Sequence, residues 1–140
     1  MAKTFRCTIV TPTESILDDE VTYANFPAWD GQHGVIAGES PLLTRLGIGS
    51  LRLDFPEGGS RWFLIEDGFA QVQENTLTLL ADSATAAERI TRQEAQSELA
   101  EANARVTEPG EDREQVERDQ KRAMVKKTLS DIMAARGHAI

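Results

Sequence analysis

Residues 51–65, Leu51-Arg52-Leu53-Asp54-Phe55-Pro56-Glu57-Gly58-Gly59-Ser60-Arg61-Trp62-Phe63-Leu64-Ile65, carry the pattern that decides the fold. Leu51, Leu53 and Phe55 alternate with Arg52 and Asp54, the period of a strand with one buried face. Pro56 presets φ and Gly58-Gly59 accept positive φ, so Pro56-Glu57-Gly58-Gly59 predicts a turn that closes a hairpin onto residues 61–65. The same period recurs on both sides. Phe5, Cys7 and Ile9 oppose Arg6 and Thr8 until Thr11-Pro12 interrupts the run, and Glu74-Asn75 predicts a turn into Leu77, Leu79 and Ala81. Short strands with frequent turn signals predict an all-β sandwich or barrel. Strands this short cover their apolar faces best as two packed layers.

After Asp82-Ser83 the pattern changes. From Ala84 to Val106 there is no glycine, proline or aromatic, and Ala95, Leu99, Ala102 and Val106 fall on one helical face. Pro109-Gly110 predicts a break, because proline cannot continue a helix and glycine releases its end. A second helix is expected from about Glu111 to Arg136, with Val125, Leu129, Ile132 and Met133 on one face. The expected fold class is therefore α+β: a sandwich over residues 1–84, then an antiparallel two-helix hairpin over 85–140. Its stripes are narrow and alanine-rich, so the hairpin is expected to be only modestly stable.

Composition follows the same division. All eight aromatics of the 140-residue chain precede residue 70, and eight of its ten glycines precede residue 84. The net charge of −8 argues against a general nucleic-acid binder, which needs a basic footprint, and against unaided adhesion to anionic lipid. No apolar run approaches the roughly 20 residues that span a bilayer. Met1-Ala2-Lys3-Thr4-Phe5 passes directly into strand alternation, so no signal or transit peptide is expected and the reading is a soluble, intracellular protein. Cys7 is the lone cysteine and sits at strand spacing, which predicts a small buried hydrophobe rather than a reactive thiol.

Catalytic signals are absent. There is no phosphate-binding Gly-Lys-Ser/Thr loop, no paired cysteine motif and no pair of histidines at metal-ligand spacing. His33 reads as an exposed loop histidine, Ser40-Pro41 has no evident base partner, and the glycines of Gly31-Gln32-His33-Gly34 read as a tight turn between strands. The expectation is no catalytic residue, no metal and no cofactor. Charge order in the second helix is more informative. Residues 111–120 carry a net −3, and residues 121–140 carry Lys121, Arg122, Lys126, Lys127 and Arg136 against Asp131. Matching of the helix macrodipole is one explanation, worth a few tenths of a kcal/mol (~0.3) per charge within the terminal turns. Four bases over two turns exceed that need, so an acidic partner surface is the sharper alternative.

The run Gly31-Gln32-His33-Gly34-Val35-Ile36-Ala37-Gly38-Glu39-Ser40-Pro41-Leu42-Leu43-Thr44 is recognisable, with Gly47-Ile48-Gly49 after it and Leu77-Thr78-Leu79-Leu80-Ala81-Asp82 closing the sheet. It resembles the epsilon subunit of F-type ATP synthase, and the likeness extends over essentially the whole chain. The resemblance implies a non-catalytic rotor part, whose sandwich binds the gamma subunit and sits on the c-ring in the central stalk. The ring-facing loop of the family matches Gly31, Gln32, His33 and Gly34, with the neighbouring turn at Glu39. Ala37 stands where members often have proline and Glu39 where histidine is frequent, departures that bear on individual ring contacts.

The resemblance further implies a movable inhibitory hairpin. Folded, it is permissive; extended into the alpha/beta catalytic head, its bases Lys121, Arg122, Lys126, Lys127 and Arg136 meet acidic loops and block ATP hydrolysis. Some bacterial relatives bind ATP through an Ile/Leu-Asp-x-x-Arg-Ala motif, matched here by Ile90-Thr91-Arg92-Gln93-Glu94-Ala95. The motif's acid has become Thr91 and its arginine Glu94, so nucleotide binding is not expected. The implied location is the cytoplasmic face of a bacterial inner membrane, attached through the complex, or alternatively the stromal side of a chloroplast thylakoid. Protons are the expected coupling ion. A competing reading is a transcription-cleavage factor acting in RNA polymerase, with Glu108, Glu111 and Asp112 as tip carboxylates, although the domain order is reversed relative to those factors.

Overall fold

The computed structural model describes residues 3–106, 110 and 112–137. Seven strands come first: β1 (Phe5–Val10), β2 (Ser15–Val21), β3 (Tyr23–Ala28), β4 (Gly31–Val35), β5 (Leu42–Asp54), β6 (Ser60–Gln73) and β7 (Thr76–Ala86). A 3-10 turn (Ala87–Arg89) leads to α1 (Arg92–Arg105) and α2 (Arg113–Gly137). The strands form one hydrogen-bonded sheet in the order β2-β1-β7-β6-β5-β3-β4, folded as a sandwich. The α+β class read from the sequence is what the chain adopts. It divides into two compact units, Met1–Thr85 and Ala86–Ile140.

The deciding hairpin forms as its pattern requires. Leu51 pairs with Phe63 and Asp54 with Ser60, and Phe55 N–H donates to Gly59 O at 3.1 Å to close the turn. The strands are longer than expected, 13 residues in β5 and 14 in β6. β5 runs unbroken through Gly47-Ile48-Gly49, where the glycines leave room for β3. A Cβ on Gly49 would lie 2.5 Å from Pro27 Cβ, where the β3–β5 register shifts between Asn25 and Ala28. Buried positions in β5 also change parity there, from Leu46 and Ile48 to Leu51 and Leu53. In β6 the matching change runs from Phe63 and Ile65 to Ala70 and Val72, across Asp67 at φ 60° and Gly68 at φ 118°. The ribbon thus turns its opposite face to the core at its two ends.

Phe5, Cys7 and Ile9 are buried as predicted, joined by Phe26, Leu77 and Leu79. Each fully buried large side chain contributes roughly 1.5–3 kcal/mol. Burial also pushes the Cys7 thiol up to about 12, which agrees with an inert core residue. The aromatic core is smaller than composition implied: Phe5, Phe26 and Phe63 are buried, while Trp29 and Phe69 are exposed.

In the second unit, the expected helical run from Ala84 starts later. β7 continues to Ala86, and α1 begins only after Thr91. Alanine's helix preference is worth only a few tenths of a kcal/mol per residue (~0.5), too little to override strand pairing. Thr91 caps α1 through its hydroxyl, which accepts from Glu94 N–H at 3.1 Å. Asp112 caps α2 by accepting from Glu114 N–H at 3.0 Å, so that helix starts at Arg113 rather than Glu111. Ala95, Ala102, Val116, Ala123 and Leu129 are buried; Leu99, Val125, Ile132 and Met133 are half-buried, and Val106 is exposed. Glu108, Pro109, Glu111 and His138 lie outside the described residues.

Candidate functional site

Two surfaces concentrate the residues singled out above, one on each unit. On the first unit, β4 is an edge strand, beyond β3 in the sheet order. Gly31, Gln32, His33 and Gly34 are therefore not a turn. They pair with Ala28, Pro27, Phe26 and Asn25 respectively, and the turn falls one step earlier at Trp29-Asp30. All four remain exposed.

The edge is held by identifiable contacts. Gln32 Nε2 donates to Asn25 Oδ1 and to Ser50 O at 3.1 Å, and Asn25 Nδ2 donates to Tyr23 OH at 3.1 Å. The His33 ring lies over Phe26 with centroids 5.2 Å apart. A Cβ on Gly34 would come within 2.9 Å of Tyr23 OH, so any larger residue there would have to displace the tyrosine tip. Trp29 and Ile36, 67% and 58% exposed, flank this strand. Large apolar side chains left in water beside a bare strand edge are the features of a docking surface.

Glu39 is exposed, just past Gly38 at φ 84°. Asn75, read from sequence only as a turn residue, ties this segment down. Its Oδ1 accepts from Gly38 N–H at 3.0 Å, its Nδ2 donates to Thr4 O at 3.0 Å, and its carbonyl accepts from Arg6 N–H. The Glu74-Asn75 turn was its sequence signal: asparagine tolerates the left-handed backbone that Asn75 adopts, at φ 58°.

On the second unit, the five bases of α2 separate into different environments. Lys121, Lys127 and Arg136 are exposed, and Lys121 and Lys127 make no ion pair among the described residues. Arg122 stands 3.5 Å from Asp119 on its own helix. Lys126 reaches across to α1, where its ammonium donates to Glu94 at 2.9 Å and to Glu98 at 2.8 Å. Arg92–Asp131 and Arg105–Asp119 bridge the helices nearer their ends, and Gln120 donates to Asn103. The antiparallel hairpin is thus laced by polar contacts across a mostly alanine seam.

These contacts fix the direction of the charge shifts. The hydrogen bond from Lys126 holds the Glu94 carboxyl below its ordinary value, and Arg105 does the same for Asp119. Burial opposes charge on Lys126, but its bonds to Glu98 and Glu94 outweigh it and raise the ammonium. A carboxyl lowered in the folded state adds stability above its unfolded value and loses it as pH falls through the folded value. Acidification through the ordinary values of 4.5 for Glu94 and 3.8 for Asp119, and below, is therefore expected to loosen the hairpin. Amide signals of α1 and α2, followed by NMR from pH 7 to pH about 3, check this; signals that stay put throughout would contradict it.

Comparison with known proteins places this geometry. The family described as ATP synthase, Delta/Epsilon chain, beta-sandwich domain matches residues 4–87. The ATP synthase epsilon chain of Rhodopirellula baltica is 39% identical over 97 residues, covering 69% of this chain and 75% of that one. The one from Nitratidesulfovibrio vulgaris strain DP4 is 32% identical over 139 residues, covering 99% and 100%.

The chain belongs to the ATP synthase epsilon chain family.

The matched span takes in every strand, and the second relative carries the likeness through both helices. Among solved structures, a chain of the Euglena gracilis mitochondrial ATP synthase OSCP/F1/c-ring assembly superimposes with a TM-score of 0.82. It covers 92% of this chain and 81% of its own at 23% identity, a likeness of fold. Within this epsilon-family chain, each polar position of Ile90–Ala95 except Gln93 is engaged inside the hairpin. Thr91 caps α1, Arg92 meets Asp131 and Glu94 meets Lys126, while Ile90 and Ala95 are buried. No described helix is long and apolar enough to cross a membrane.

Proposed function

We propose that the chain is the non-catalytic central-stalk subunit that links gamma to the c-ring for ion-driven ATP synthesis and, through α2, inhibits ATP hydrolysis. Family membership across sandwich and hairpin carries this reading. The sandwich is the rotor-binding domain and the hairpin the regulatory one. The exposed edge of β4, with Gly31, Gln32, His33 and Gly34 and with Glu39 nearby, faces the polar loops of the ring, flanked by Trp29 and Ile36. Unpaired backbone groups along the β4 edge suit a polar protein surface rather than hydrocarbon; the chain reaches the membrane through the complex, on its cytoplasmic side. In the extended state Lys121, Arg122, Lys126, Lys127 and Arg136 meet acidic loops of the alpha/beta head.

Cross-linking tests the ring contact. Cysteine at His33 or Glu39, both exposed, is expected to form an adduct with a c subunit in the assembled synthase. Absence of any c adduct from both positions, in a complex that retains the chain, would remove the ring-facing assignment. Nucleotide binding is a separate expectation. With Glu94 where the family motif has arginine, and occupied by Lys126, calorimetry of the chain with ATP is expected to show no saturable heat up to low millimolar concentration. Saturable binding in that range would overturn it.

A further inference from the structure

The five bases of α2 are equivalent in sequence but not in the fold. Lys126 sits in the middle of the hairpin with its side chain only 12% exposed, against two carboxylates of α1. Glu94 and Glu98 are one helical turn apart, so both project from the same face and converge on one ammonium. One carboxylate would neutralise that charge. A second leaves the cluster with excess acid, and Lys126 with two of its three donors occupied. Arg92–Asp131 and Arg105–Asp119 also join the helices, nearer their ends.

We propose that Glu94 and Glu98 form a latch that keeps the hairpin shut by occupying Lys126, in competition with the acidic protein surface that α2 engages. With two donors held by α1 carboxylates and its side chain only 12% exposed, the Lys126 ammonium is not presented to carboxylates of another molecule while the hairpin is closed. Closure and engagement are therefore mutually exclusive at this residue, whereas exposed Lys121 and Lys127 are available in either state. The latch sets the threshold for opening, because the seam beneath it is mostly alanine and the hairpin relies on polar contacts. Its second half, the competition, rests on α2 being the inhibitory helix; the closure itself does not.

The test uses the full chain carrying nitroxide spin labels on cysteines at Gln93 and Ala135, both exposed. Cys7 is buried with its thiol pushed up to about 12, so it stays unlabelled. Glu94→Gln with Glu98→Gln is expected to raise the population of long inter-label distances about fivefold or more. Reversing the charges, Lys126→Glu with Glu94→Lys and Glu98→Lys, is expected to restore the short distances. An unchanged distribution in the glutamine variant, or failure of the reversed variant to close, overturns the latch. In the assembled synthase the glutamine variant is expected to deepen inhibition of hydrolysis about threefold or more, and the reversed variant to relieve it. Opening without any change in hydrolysis supports the latch and instead overturns the inhibitory role of α2.

Discussion

Gly68→Ala is expected to destabilise the sandwich by about 3–5 kcal/mol, more than any other single methyl added to this chain. Gly68 lies in β6 at φ 118°, where an L side chain is strained before any contact is considered. A Cβ there would also collide with the carbonyl oxygen of Leu80 and lie 2.8 Å from Ala81 Cα. Both are backbone atoms of β7, so the clash cannot be relieved by turning a side chain. Gly58→Ala supplies the control: its φ is 96° but a Cβ would meet nothing within 4 Å, so only the conformational cost of about 1–2 kcal/mol applies. Every aromatic precedes residue 70, so tryptophan fluorescence and near-ultraviolet circular dichroism report this unit without interference from the hairpin. In urea titrations the Gly68 variant should unfold at markedly lower denaturant than the Gly58 variant. Equal midpoints would show that β6 and β7 separate at this crossing without cost.

Removing the exposed bases of α2 is the second large effect. Lys121→Ala with Lys127→Ala should shift the ratio of inhibited to permissive synthase about fivefold to thirtyfold toward the permissive form, from about 1–2 kcal/mol of lost pairing. The two residues are exposed and without an ion pair among the described residues, so their loss leaves the closed hairpin intact. The effect should shrink as ionic strength rises, because exposed pairs are screened over about 8 Å at physiological salt. Extending the replacement to Arg122, Lys126 and Arg136 relieves inhibition further, but through Lys126 it also unlatches the hairpin. Ending the chain after Ala86 removes both helices while keeping all of β7; a cut at Asp82 would take away the last four residues of that strand. ATP hydrolysis by the assembled complex measures all three variants. Rates that match the full chain in every case would remove inhibition from the role of α2.

Local information accounts for much of the fold. Alternation at Leu51–Phe55 and Phe5–Ile9, and the turns at Pro56–Gly59 and Glu74-Asn75, specify strands and hairpins because each depends on a few adjacent residues. The change to helix is equally local, although its start was misplaced: Ala84–Ala86 have helical preference yet remain in β7. Gly31–Gly34 misled for a related reason. Glycine admits a turn without demanding one, and here Gly34 sits in a strand with Tyr23 lying against it. Gly49 marks where Pro27 crowds β5.

The candidate surfaces were legible as residue sets but not as environments. The basic cluster of α2 is plain in the sequence, as is the family likeness around Gly31–Thr44. That Lys126 faces inward while Lys121 and Lys127 face water depends on the rotation of α2 against α1, a property of two helices together. What the sequence alone determined was the strand character of the best-patterned runs, the change from strands to two helices and the sign of charge on α2, since periodicity, turn chemistry and charge are written residue by residue. Only the tertiary structure decided which strand is the open edge, where glycine is sterically required, and which base is already paired. Those depend on neighbours 11 to 32 positions away, whose approach no local pattern encodes.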